Sequence, residues 1–121
     1  MHSQRPVYLN LLKIRQPLPA VVSIFHRLSG ALLFLAIPVV LYLFEGSLAS
    51  KQSFVALTEN TWARVGLFIA LALYAYHFLA GVRFLLFDLH RPGLYRHMKW
   101  SASAVLAAAG LAIILLGVWL R

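Results

Sequence analysis

One histidine lies inside a long apolar stretch of this sequence, where histidine chemistry is restricted. His77 is the only histidine well inside a segment with the composition of a membrane span. An imidazole in hydrocarbon must hydrogen-bond, pair with a charge or bind a metal, because an unsatisfied polar group there costs about 2–7 kcal/mol. At about 100° per helical residue, seven residues share its helix face, and three of them are Gly or Ala: Gly66, Ala70, Leu73, Tyr74, Gly81, Phe84 and Asp88. Such a face has room for a closely packed helix or for a flat ligand.

Haem is the flat ligand that we expect His77 to bind. The iron of an electron-transfer haem takes two axial ligands, commonly His or Met. Met98 lies in a predicted loop and His26 lies nearer the membrane boundary, so we expect the second ligand to come from another polypeptide. The structural alternative is that His77 only hydrogen-bonds to a carbonyl group of a neighbouring helix.

A second polar cluster opens the first apolar segment, with the pattern Ser23-x-x-His26-Arg27-x-Ser29-Gly30. Ser23 and Arg27 are four residues apart, so their hydroxyl and guanidinium groups share one helix face and can together hold a polar headgroup. The alternative is that Arg27 extends to lipid phosphates, that Ser29 and Gly30 pack helices and that His26 lies in the interfacial region.

Membrane-spanning helices must position these residues. The chain is 62% hydrophobic, against about 45–50% in ordinary soluble domains, and its mean hydropathy is +0.82. Residues 1–121 therefore form one membrane domain, with predicted spans at about 20–44, 61–89 and 101–120. Pro38 is expected to kink the first span. Residues 46–60 are expected to be a polar loop, and the alanine-rich third span is expected to pack closely on its neighbours.

The charges predict how the spans cross the membrane. Eleven Lys and Arg residues against three Asp and Glu residues give a net charge of +8. Most of the cations lie before the first span or between the second and third spans, which argues against nucleic-acid binding and for a membrane orientation. We expect residues 1–19 and the second loop to be cytoplasmic and the C-terminus to be periplasmic. The start lacks the pattern of a signal or transit peptide, so we expect an unprocessed chain in a bacterial inner membrane.

Other polar residues have simpler expected roles. Asp88 is expected to pair with Arg83 or Arg27, because an unpaired charge at the membrane margin is costly. His90 and His97 are expected to be solvated or to face lipid, since water and phosphate satisfy them. The chain has no cysteine, so it cannot itself hold an iron–sulfur cluster through thiolates.

Three motifs together resemble one family. They are Arg5-Pro-Val, the Ser23 to Gly30 pattern, and His77-x-x-x-Gly81-Val-Arg83-x-x-x-x-Asp88. The sequence resembles the cytochrome b subunit of succinate dehydrogenase, the larger membrane anchor of respiratory complex II, over essentially the whole chain. The resemblance implies an all-α membrane protein with three transmembrane helices, which is part of a helix bundle made by more than one subunit.

The resemblance also implies roles for individual residues. His77 matches the axial ligand of haem b, whose second ligand comes from the smaller anchor subunit. Ser23 and Arg27 match residues that line the ubiquinone site, and His26 and Arg27 match residues near the haem propionates. Phe84 stands where some relatives have a second histidine, so the resemblance implies no propionate or proton role at that position.

The implied function is that of a non-catalytic subunit in electron transfer from succinate to ubiquinone, in the tricarboxylic acid cycle and respiratory chain. The implied partners are the smaller anchor, the iron–sulfur subunit, the flavoprotein subunit and the lipid bilayer. One alternative is the anchor of a fumarate reductase. A more distant alternative is a small transporter or structural membrane protein, in which His77 and Arg83 would form a proton or substrate path.

Overall fold

The computed structural model describes residues 10, 13–89 and 93–120 of the chain. The helices are α1 (Leu18–Leu48), α2 (Lys51–Glu59), α3 (Thr61–Asp88) and α4 (Met98–Trp119), with a 3-10 helix at Leu94–His97 before α4. The described part of the chain contains no strand, which confirms the predicted all-α class. The Arg5-Pro-Val motif and His90 lie outside the described residues.

Three of the helices are long and apolar enough to cross a membrane. They are α1, α3 and α4, with 31, 28 and 22 residues. At a rise of about 1.5 Å per residue, α1 is about 46 Å long, which exceeds the roughly 30 Å of a bilayer core. The protein is therefore a multi-pass membrane protein, and the ends of α1 extend beyond the hydrocarbon region or the helix tilts.

The helix starts follow from local chemistry. Pro17 precedes α1 and Pro19 lies in its first turn, where a backbone N–H has no intrahelical acceptor and proline is tolerated. At the start of α3, Asn60 Oδ1 accepts hydrogen bonds from the backbone N–H groups of Trp62 (2.9 Å) and Ala63 (3.1 Å). This side chain replaces two of the acceptors that the first turn of a helix lacks.

The segment expected as a polar loop contains a helix, α2. Ser50 caps it, since its Oγ accepts a hydrogen bond from the backbone N–H of Ser53 at 3.0 Å. Leu57 lies on the face of α2 that meets α1, because its Cδ1 would be 3.9 Å from a Cβ at Gly46. The polar residues of this segment led to the prediction of a loop, although its nine residues form a helix.

Helix α3 packs against both α1 and α4. The buried core is small and consists of Val22, Ala80, Ala102, Val105 and Ala109. The buried alanines of α4 let its backbone approach α3 closely, in agreement with the predicted packing role of the third span. The Tyr76 hydroxyl on α3 donates a hydrogen bond to the Val22 carbonyl on α1 at 2.8 Å, which ties these two helices together.

Many large apolar side chains point outward from the three spans. Among the most exposed are Phe34, Leu35, Tyr42, Leu48, Trp62, Leu85, Trp100, Val118 and Trp119. In water such a surface would be costly, but in a membrane it is the face presented to lipid or to the helices of another subunit. Of the predicted site residues, His26 and His77 meet where α1 faces α3, Ser23 lies at the same end of α1, and Arg27 is exposed.

Candidate functional site

His77 lies at the contact between α1 and α3. Its Nδ1 is 3.1 Å from the carbonyl oxygen of His26 and 3.1 Å from Ser29 Oγ, both on α1. A Cβ atom at Gly30 would lie 2.8 Å from His77 Cε1, a separation that real Cβ atoms essentially never show. One edge of the imidazole is therefore held against α1, where Nδ1 meets two polar groups and Cε1 meets a backbone that must lack a side chain.

His26 lies beside His77. The two imidazole rings stack with centroids 4.1 Å apart and planes inclined by 7°. The expectation that His26 lies nearer the membrane boundary stays a prediction. His26 is eight residues from the start of α1 and His77 is eleven residues from the end of α3. Their rings can meet because the two helices are antiparallel neighbours.

The stacked rings do not form a pair of axial ligands for one iron. Two axial imidazoles approach the metal from opposite faces of a porphyrin, whereas these rings are in face-to-face contact with no space between them. The Phe84 ring lies 5.1 Å from the His26 ring, and a Cβ at Gly81 would be 3.4 Å from His26 Nε2. His26 therefore occupies the small-residue face that the sequence placed around His77.

The two nitrogens of His77 have different surroundings. Nδ1 makes the hydrogen bond to a neighbouring helix carbonyl that the structural alternative predicts. Nε2 has no hydrogen-bond partner among the described residues. A metal-binding histidine normally uses one ring nitrogen for the metal and the other for a hydrogen bond. The hydrogen bond at Nδ1 is thus compatible with ligation through Nε2, and these residues fit an axial haem ligand.

Ser23 and Arg27 are in different environments. Ser23 is half-buried and lines an open cavity of about 850 Å³ between the start of α1, the end of α3 and the start of α4. Arg27 is exposed and does not line this cavity. The helix geometry does place the two residues one turn apart at the same end of α1.

The cavity is basic and partly aromatic. Its lining consists of Pro17, Pro19, Ala20, Ser23, Arg83, Phe84, Phe87, Arg96, Met98, Lys99 and Trp100. Three of these residues are cations and none is acidic. An amphipathic molecule that carries partial or full negative charge on oxygen suits such a lining, because its ring or chain can contact the aromatic side chains.

Arg83 is the most buried charged residue in the described part of the chain, with 5% of its side chain exposed. Its Nε donates to Ser101 Oγ at 3.0 Å and its Nη2 donates to the Met98 carbonyl at 3.2 Å. The guanidinium carbon also lies 5.2 Å from the Phe84 ring centre and 4.8 Å from that of Phe87. Arg83 therefore links α3 to the start of α4, while its pairing with Asp88 stays a prediction.

Sequence reasoning gave Ser29 and Gly30 only a possible role in helix packing, without their contacts with His77, and it missed the role of Ser101. The motif that opens α1 could have indicated the contacts of Ser29 and Gly30, because it contains both residues. A small residue is needed wherever a side-chain ring packs against a helix backbone. Ser101 carries the first hydroxyl group of the third span. A buried arginine needs such partners, but the sequence does not show which neighbouring helix supplies them.

Comparison with known proteins identifies relatives along the full chain. Residues 1–118 match the family model of the succinate dehydrogenase/fumarate reductase transmembrane subunit. The succinate dehydrogenase cytochrome b556 subunit of Coxiella burnetii is 37% identical over 124 residues, and the match covers 99% of each chain. These matches include both motifs whose residues meet between α1 and α3.

Proposed function

This chain belongs to the succinate dehydrogenase/fumarate reductase transmembrane subunit family, and we propose that it is the cytochrome b anchor of a succinate dehydrogenase. In this role it holds haem b together with a smaller anchor subunit and forms part of a ubiquinone site. The name of the Coxiella relative, a succinate dehydrogenase subunit, favours succinate oxidation over fumarate reduction. Family membership also favours the anchor over a small transporter.

The haem proposal rests on one observation, the different surroundings of the two His77 ring nitrogens. The His77 ring is held through Nδ1 by α1, while Nε2 is left without a hydrogen-bond partner among the described residues. This is the arrangement that an axial ligand requires. Haem bound there would supply one-electron redox chemistry to the complex. The second axial histidine would come from the smaller anchor, because His26 stacks on His77 and is not placed to oppose it.

His26 and Arg27 are the proposed contacts of the haem propionates. His26 is next to the ligand, and Arg27 follows it at the exposed surface of α1. Carboxylate groups gain from charge-assisted hydrogen bonds with such side chains, and an arginine near a helix end can keep its guanidinium group at the polar boundary. For Arg27 this proposal depends on sequence position and exposure.

Ser23 is the proposed quinone contact of this chain, with Arg27 beside it. The basic and aromatic lining of the cavity at Ser23 fits a quinone head, whose carbonyl oxygens become more negative as electrons arrive. A hydroxyl group there can donate a hydrogen bond to that oxygen and pass a proton to it. The iron–sulfur subunit and the smaller anchor would close the open side of the cavity, and the flavoprotein subunit would dock beyond them.

Purification of the intact complex through an affinity tag on this chain tests the proposed assembly. We expect flavin-containing and iron–sulfur subunits to co-purify and the reduced sample to show a b-type haem spectrum. A tagged chain that purifies from native membranes without these subunits would overturn the anchor assignment. A complete complex without haem would overturn the cytochrome assignment and leave the anchor in place.

Ser23→Ala tests the quinone contact. We expect the KM for ubiquinone to rise about threefold to tenfold, since one hydrogen bond is worth about 0.5–1.5 kcal/mol. Electron transfer from succinate to a dye that accepts electrons from the soluble subunits should not change. Ser103→Ala is the matched control, because Ser103 is an exposed serine of α4 whose hydroxyl donates to the Lys99 carbonyl. An unchanged KM in Ser23→Ala would contradict the assignment.

A further inference from the structure

We infer that Ser29 is a positioning residue, whose hydroxyl oxygen acts together with the His26 carbonyl oxygen to hold the proton of the His77 imidazole on Nδ1 and so keeps the Nε2 lone pair for the haem iron. The inference rests on the proposed haem ligation by His77. It adds a residue of α1 that would not touch the haem iron but supplies one of the two acceptors that hold the proton of the ligand on Nδ1.

The hydrogen-bond geometry carries this assignment. Ser29 Oγ lies 2.9 Å from the His26 carbonyl oxygen, and His77 Nδ1 lies 3.1 Å from both of these oxygens. A carbonyl oxygen can only accept, so the hydroxyl proton of Ser29 is donated to it. The Ser29 oxygen is then an acceptor toward His77, as is the His26 carbonyl. Both therefore require a proton on Nδ1.

The opposite tautomer is disfavoured by the same three atoms. If the proton were on Nε2, the lone pair of His77 Nδ1 would accept the Ser29 hydroxyl proton. That lone pair would then face the His26 carbonyl oxygen at 3.1 Å with no proton between them. Ser29 would also lose its bond to that carbonyl, and only 3% of Ser29 is exposed, so water cannot compensate.

The environment fixes the ring as well as the tautomer. The His26 ring covers one face of His77, and the bare backbone at Gly30 contacts its Cε1 edge. These contacts leave little room for the ring to rotate and exchange its nitrogens. Substitution of Ser29 by alanine removes its hydroxyl group and changes the side-chain volume very little, so the effect of the hydrogen bond can be measured separately from packing.

Ser29→Ala in the assembled complex tests the inference, with Ser47→Ala as its control. Ser47 is on the same helix and donates to the carbonyl three residues earlier, Phe44, but it is exposed at the other end of α1. In Ser29→Ala the Nδ1–H group loses one acceptor, so His77 becomes a less basic ligand. We expect a more positive haem midpoint potential and a changed low-spin EPR signal, while Ser47→Ala matches the wild type.

Each other outcome is decisive. A Ser29→Ala complex that keeps its haem, with potential and EPR signal unchanged, overturns the inference and leaves haem ligation by His77 standing. Failure of Ser29→Ala to assemble also overturns it, since it would give Ser29 a general folding role. His77→Ala is measured in parallel: an unchanged low-spin haem in that variant overturns both the proposed ligation and the role of Ser29.

Discussion

At the scale of single residues, the half-buried His77 shows why a polar group inside a membrane span needs two separate explanations. Its Nδ1 satisfies the rule that polar atoms in hydrocarbon find hydrogen-bond partners. That rule does not explain why Nε2 has no hydrogen-bond partner among the described residues. This nitrogen is the one that we assign to the haem iron. The two alternatives posed by the sequence, a helix-to-helix hydrogen bond and a metal ligand, therefore apply to different atoms of one ring.

Gly30→Ala tests the close contact between α1 and the His77 ring. The new methyl carbon would lie 2.8 Å from His77 Cε1, so the ring or the helix must move. We expect a loss of about 1–3 kcal/mol in the stability of the assembled complex, as for other overpacked sites, together with lower haem content. Thermal unfolding and the haem-to-protein ratio measure the two effects.

Gly66→Ala is the control for this substitution. No heavy atom lies within 4 Å of a Cβ at Gly66 outside its own helix. Alanine there is expected to be neutral or to stabilise α3 by about 0.5–1 kcal/mol, because glycine is the poorer helix former. If Gly30→Ala behaved like Gly66→Ala, the His77 ring would not be packed against α1 as described.

At the scale of helices, α3 is the central helix, because it is hydrogen-bonded to both other spans. It contacts α1 through His77 and Tyr76, and it contacts α4 through Arg83. The Arg83 side chain combines two hydrogen bonds with two aromatic contacts. This arrangement fixes the start of α4, which supplies part of the lining of the Ser23 cavity.

Arg83→Met tests the link between α3 and α4. Methionine keeps much of the side-chain volume but donates no hydrogen bond, so the partners at Ser101 and Met98 lose a charged donor. We expect the complex to lose about 1.5–3 kcal/mol of stability. Lys51→Met, at the exposed first residue of α2, should have little effect. Equal unfolding temperatures for the two variants would contradict a structural role for Arg83.

Asn60→Ala tests the start of α3. Loss of the side chain that accepts from Trp62 and Ala63 should destabilise the protein by about 0.5–2 kcal/mol. Asn60→Ser should retain most of the wild-type stability, because serine is also a good cap. Thermal unfolding of the purified complex separates these outcomes, and equal destabilisation by alanine and serine would argue against capping.

At the scale of the whole molecule, few of the described residues are buried and many large apolar side chains point outward. The chain therefore depends on the bilayer and on other subunits to cover its surface. The predicted orientation places the basic second loop, and with it the Ser23 cavity, on the cytoplasmic side. Soluble subunits could then reach the cavity without crossing the membrane.

Cysteine labelling tests that orientation. The chain has no native cysteine, so Gln52→Cys and His97→Cys each introduce one thiol at an exposed residue. In intact cells a membrane-impermeant maleimide should label Gln52→Cys only. Denatured protein should label in both variants, which controls for shielding by a subunit. Labelling of His97→Cys alone in intact cells would reverse the orientation.

Sequence reasoning predicted the parts of this molecule that depend on composition and helical spacing. The long apolar segments predicted the three spans and the all-α class. The positions of His77 and Ser23 indicated which faces of α3 and α1 carry the site. The stacking of His26 on His77 and the bonds from Arg83 to α4 depend on how separate helices meet. Such contacts have no periodic signal within one segment, so only the assembled structure shows them.

The reduced minus oxidised visible spectrum of the His77→Ala complex tests haem ligation most directly, recorded beside the wild type and His97→Ala. His97 is an exposed histidine that is assigned no ligand role. We expect a low-spin b-type signal in the wild type and in His97→Ala, and its loss or conversion to a high-spin form in His77→Ala. An unchanged low-spin signal in His77→Ala would contradict the assignment of His77 as the haem ligand.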